Sequence, residues 1–171
     1  MADNFEPAGG TALVYSWLGA LAKPDPGPLF WAALDQPLRL CLVQGWMMNR
    51  GFGTSSDRNL VAEQLSHAQS THALAGKLLA DVAQHMREVY ADLGDAPALV
   101  DVTDLVGVDM ELVVVTSEEF AGDYPAGAQI PVHCFVTRLI DGGWRIAANA
   151  RRLPVPGWPP TEVPIAGLSI S

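Results

Sequence analysis

Asp109-Met110-Glu111-Leu112-Val113-Val114-Val115-Thr116-Ser117-Glu118 is the stretch on which the fold turns. Met110, Leu112, Val114 and Thr116 alternate with Glu111, Val113, Val115 and Ser117, a two-residue period that predicts a β-strand with one or both faces covered. Upstream the rhythm is different. Leu74, Leu78, Val82, Met86, Val89 and Leu93 recur at three- and four-residue steps, with Lys77, Asp81, Gln84 and Glu88 on the opposite side. That spacing predicts an amphipathic helix, and Gly94 ends it. The switch of period at Gly94 separates a helical first half from a stranded second half, so the chain reads as α+β.

Toward the N-terminus, Thr11 offers a cap hydroxyl, and Leu13, Val14, Trp17, Leu18 and Leu21 predict a helix over residues 12–22. The three prolines of Lys23-Pro24-Asp25-Pro26-Gly27-Pro28 stop it. A second helical stretch begins at Leu29, and Asp35 with Pro37 marks a fresh helix start. Residues 38–50 are apolar except Arg39, Gln44 and Asn49, which predicts a central helix covered on most sides, with Gly51 and Gly53 as its stop. Residues 57–65 form a short further helix. Beyond Gly94, residues 99–102 read as a short strand, and 130–140 and 144–153 as two longer ones joined at Asp141-Gly142-Gly143. A three-residue loop there pairs Ile140 with Trp144, Arg138 with Ile146 and Val136 with Ala148, giving an apolar face at even-numbered positions. A two-residue loop scrambles that pairing. Pro154, Pro156, Pro159, Pro160 and Pro164 forbid a central strand. The expected layout is a disordered tail at 1–10, a single α+β domain at 11–153 and an extended proline-rich tail at 154–171.

Of the 171 residues, 49% are hydrophobic and 17% charged, the balance of one packed globule. The net charge of -9 repels phosphate backbones and points away from nucleic acid. Arg138, Arg145, Arg151 and Arg152 cluster near the end and read as strand-surface residues facing Asp109, Glu111, Glu118 or Glu119. No apolar run approaches the roughly 18 residues of a membrane span. Asp3 and Glu6 stand where a secretory signal would carry Lys or Arg, so a cytoplasmic location is expected. Cys41 and Cys134 lack zinc or CxxC spacing and read as small buried hydrophobes.

Helices first, then a strand meander whose last hairpin reads Leu139-Ile140-Asp141-Gly142-Gly143-Trp144-Arg145-Ile146, resembles the cone-shaped NTF2-like superfamily, which includes SnoaL-like cyclases and ketosteroid isomerase. The long helical stretch between Asp57 and Gly94 departs from that pattern, where members commonly have shorter helices and a first strand. The resemblance implies N-terminal helices packed on a curved, mainly antiparallel sheet, an apolar pocket between them, and a homodimer through the sheet's outer face. Members include enzymes and non-catalytic binders, so fold alone does not name a reaction.

His133 leads the candidate catalytic residues, as one polar group among apolar strand neighbours, sharing parity with Phe135, Thr137 and Leu139. The plain alternative is a half-exposed strand histidine. Asp109, near Asp101, Asp104 and Glu111, is the candidate carboxylate of raised pKa, against the reading of a solvated loop. His85 has Asp81 one turn before it, a carboxylate able to orient its ring. His67 and His72 are five apart, off the spacing of helical metal sites, so no metal is expected. Gly51-Phe52-Gly53 lacks the strand and third glycine of a dinucleotide fingerprint, and no cofactor is expected. Tyr15, Trp46, Met47, His85, Tyr90 and Phe135 are the candidate pocket residues, with core filling as the competing role. Three functions follow as expectations: a binder or scaffold for an apolar small molecule, an isomerase, cyclase or dehydratase using His133 or Asp109, or a protein-interaction subunit.

Overall fold

A computed structural model describes residues 8–52, 56–103, 109–122 and 129–151, with the side chains of residues 56 and 101–103 excepted. Gly53, Asp104, Arg152, the side chain of Asp101 and the proline-rich segment from Pro154 lie outside the described residues. The chain is α+β. Among the described residues, α1 (Gly9–Leu21), α2 (Gly27–Ala32), α3 (Gln36–Asn49), α4 (Ser56–Ser66) and α5 (Ala75–Val89) precede an antiparallel sheet of β1 (Pro97–Thr103), β2 (Met110–Ser117), β3 (His133–Ile140) and β4 (Gly143–Ala150). The strands lie in the order β1-β2-β3-β4, an open sheet with β1 and β4 at its edges. The described residues fall into two compact units, one joining residues 8–16 to those from Leu93 onward, the other running Trp17–Asp92. None of the described helices is long and apolar enough to cross a membrane.

In the sheet unit, β2 lies between β1 and β3 and is buried on both faces: Leu112 and Val114 on one, Val113 and Val115 on the other. Leu112, Val114, Cys134 and Val136 form one apolar cluster, extended by Met110, Val132 and the alanines of β4. On the opposite face the start of α1 meets the strands. A methyl group at Gly10 would lie 2.0 Å from Thr137 Oγ1 and 2.6 Å from Glu111 Oε2, and one at Gly9 2.6 Å from Glu111 Oε1. Only glycine permits that approach, and it sets the Glu111 carboxylate at a helix N-terminus, where the macrodipole favours negative charge. Helix α1 therefore begins at Gly9, ahead of the expected Thr11 cap, because Gly9 and Gly10 are the docking surface and not a frayed end.

The last hairpin takes the two-residue alternative. Asp141 and Gly142 have φ of 49° and 74°, and Ile140 pairs with Gly143, so the loop has two residues in a turn of the primed kind. Leu139 then pairs with Trp144 and Arg138 with Arg145. A bulge between Val136 and Thr137 takes up the offset, so that Val136 still meets Ala148. Arg138 consequently has Met110 on one side and Arg145 on the other as direct ladder partners, in place of the expected carboxylates.

In the helical unit, Asp35 caps α3 by accepting from the Leu38 N–H at 2.9 Å, and Pro37 lies in the first turn, as the sequence predicts. The α5 stripe buries Leu78, Val82 and Met86. Trp17 stacks on Phe30 at 5.6 Å, meets Tyr90 edge-on at 5.5 Å, and donates its indole N–H to the Phe30 carbonyl. Helix α3 is not covered on most sides: Val43, Trp46 and Met47 are buried, whereas Met48 is 65% exposed. Cys41 is exposed as well, contrary to its reading as a buried hydrophobe, because it falls on this uncovered side; Cys134 is buried.

The one basic residue buried in α3 is structural. Arg39, 8% exposed, donates from Nε to the Ser66 carbonyl at 2.6 Å, from Nη1 to the carbonyls of Leu34 and Trp31, and from Nη2 to Gln36 Oε1 at 3.0 Å. Helix ends leave carbonyls without intrahelical donors, and one guanidinium supplies the ends of both α2 and α4.

Candidate functional site

Helix α3 ends at a residue the sequence marks as its stop. Gly51, at φ 72°, donates its N–H to the Met48 carbonyl at 3.1 Å, and the Phe52 N–H returns to Met47 at 3.1 Å. This pair of bonds is a Schellman motif. It folds the chain back so that the Phe52 ring lies 5.8 Å from the Trp46 ring, six residues earlier. On α5, Lys77, Asp81 and His85 follow one another at four-residue steps and so share a face.

These two features line one cleft of about 670 Å³, within the size range of small-molecule sites. Its apolar wall is Trp46, Phe52 and Leu74. Its polar groups are Asn49, Arg50, Lys77, Asp81 and His85. Asp81 organises them through a single oxygen: Oδ2 accepts from Trp46 Nε1 at 2.8 Å, pairs with Arg50, and lies 3.6 Å from Lys77 Nζ. The indole N–H, with the Arg50 and Lys77 charges, holds the Asp81 carboxyl below the usual carboxylate range against the opposing effect of desolvation. Asp81 is therefore ionised throughout the neutral range, and the link lapses only as pH falls through that lowered value. The Arg50 guanidinium also lies over the Trp46 ring, 5.5 Å from its centroid.

Of the candidate pocket residues, the cleft brings together Trp46 and His85. The carboxylate expected to orient His85 instead serves Trp46, Arg50 and Lys77. Met47 and Tyr90 belong to the packed interior of the helical unit. Tyr15 and Phe135 lie in the sheet unit. There burial raises the Tyr15 hydroxyl above its ordinary value, opposed by a hydrogen bond with the Leu99 backbone, and Phe135 is fully buried between Val113 and Asn149 in the ladder.

His133 is 2% exposed, so it is not a half-exposed strand histidine. It opens β3 opposite Val115, while Asp109 is exposed and its carbonyl accepts from the Leu139 N–H at the other end of the same ladder. Six residue steps separate the two positions, about 20 Å at 3.4 Å per residue. Elsewhere His67 and His72 line a polar depression of about 380 Å³, and His72 Nδ1 accepts from the Leu74 N–H. Among the described residues, no group of three or more His, Cys, Asp or Glu gathers as metal ligands do.

Phe52 and Arg50 are not among the residues that the sequence singles out for a site. The Lys77/Asp81/His85 spacing was the available signal for the α5 side, and an aromatic just after a helix-stopping glycine was the signal for the other. Scanned against protein-family models, curated proteins and solved structures, the chain matches none.

Proposed function

We propose that this chain is a small-molecule-binding protein of the NTF2-like type, with its ligand seated in the cleft between α3 and α5. The observation that carries the binding reading is that cleft, where the partly exposed Phe52 ring, set against Trp46, forms with Leu74 an apolar wall beside a few fixed polar groups. The NTF2-like part of the reading is supported by helices preceding a consecutive antiparallel meander, and by the Asp141-Gly142 turn leading into Trp144-Arg145. Binding is favoured over proton-transfer catalysis because His133 and Asp109, the two candidate acid-base groups, stand at opposite ends of the β2–β3 ladder. Proton transfer needs its groups within hydrogen-bond reach of one substrate.

A fluorescence titration of the full chain with the neutral probe N-phenylnaphthylamine tests this function. Saturable binding at one site is expected, weakened roughly tenfold by Phe52→Ala, a loss of about 1.4 kcal/mol. Phe52 is 38% exposed, so truncating it leaves the core in place. His133→Ala is expected to leave the affinity unchanged. Unsaturable binding, or equal affinity in Phe52→Ala, would refute the proposal.

A further inference from the structure

Resting on the reading of the α3–α5 cleft as a ligand site, we infer that its ligand is a planar aromatic anion, with the ring against Phe52 and Leu74 and the acid group toward Lys77. The whole chain carries a net charge of -9, yet the cleft lining has the opposite balance. Arg50 and Lys77 face the single carboxylate of Asp81, so the lining has two side-chain cations to one carboxylate. In an acidic protein such a basin favours anions that the net charge otherwise repels.

The geometry divides the labour among these groups. Arg50 is fixed on two sides, by its bond to Asp81 and by the Trp46 ring beneath it, so it acts as part of the wall. Lys77 is only loosely held by Asp81 at 3.6 Å, and its side chain is 54% exposed. Its three donors can therefore turn to an incoming acid group without breaking a short hydrogen bond. Asp81 has both its strongest partners, Trp46 Nε1 and Arg50, on one oxygen, so the carboxylate is neutralised where it stands and does not repel a second anion across the cleft. The apolar wall sets the shape of the remainder: the partly exposed Phe52 ring, backed by the buried Trp46 ring 5.8 Å away, offers with Leu74 a face to a flat ring.

Anilinonaphthalenesulfonate and N-phenylnaphthylamine share their rings and differ by the sulfonate, which makes them matched probes for the full chain. The anionic probe is expected to bind about tenfold tighter than the neutral one, the scale of one charge-assisted hydrogen bond. Lys77→Gln should shrink that preference to within about threefold, and Lys77→Arg should restore it. Added salt should weaken the anionic probe alone. A neutral probe that binds as tightly as the sulfonate, or a preference untouched by Lys77→Gln, would overturn the anion assignment and leave the binding function standing. If neither probe binds saturably, or Phe52→Ala alters neither, the anion assignment fails together with the cleft as a ligand site.

Discussion

Cys41 and Cys134 differ in a way that chemistry can read directly. Burial pushes the Cys134 thiol up to about 11, whereas Cys41 lies on the uncovered side of α3. Thiolate is the reactive form, so at about pH 8 one cysteine per native chain should react with an alkylating reagent, rising to two in denaturant. Mass spectrometry should find the native label on Cys41; labelling of Cys134 at a similar rate would contradict its burial in the sheet. Arg39 is the second residue whose role is set by its contacts. Arg39→Met removes the donors to the carbonyls of Leu34, between α2 and α3, and Ser66, at the end of α4, and a loss of about 3 kcal/mol is expected in urea unfolding. Neither role was legible in the sequence. A cysteine and an arginine inside one apolar run look alike whether they face inward or outward, because a run without clear periodicity does not identify its covered side.

At the scale of elements, two of the three glycines in α1 have opposite prospects. Gly10→Ala forces a methyl group into Thr137 and Glu111, an overpacking expected to cost about 1–3 kcal/mol. Gly19 lies in the same helix with nothing within 4 Å of an added methyl, so Gly19→Ala should stabilise by about 0.5–1 kcal/mol through helix propensity. Thermal melts of the two variants should move in opposite directions. The elements themselves were largely legible, since the Asp35 cap, the Gly51 stop, the α5 stripe and the period change near Gly94 are all local signals. The hairpin register was not, because Asp-Gly-Gly suits loops of two or three residues and the bulge at Val136/Thr137 has no local signature. The cleft was half legible. Trp46 and His85 could each be singled out, but their meeting depends on how α3 packs on α5, which helix periodicity does not specify.

For the whole molecule, charge governs behaviour in solution. With a sequence pI near 4.7, self-repulsion vanishes close to that pH, and light scattering should rise sharply there and subside above about pH 6. Exposed Leu29, Met48 and Leu60 offer apolar contacts for such association. The edge strand β1 bears on what kind of solid forms. Its register slips between Leu99 and Asp101, leaving Val100 as the extra residue, 45% exposed. That single insertion interrupts the row of backbone donors and acceptors that an unbroken edge would hold out to another chain. A neighbour cannot zip along it residue by residue, so the precipitate formed near the isoelectric point should be amorphous and fail to bind thioflavin. The irregularity at Val100 thus works as an insulator against amyloid growth.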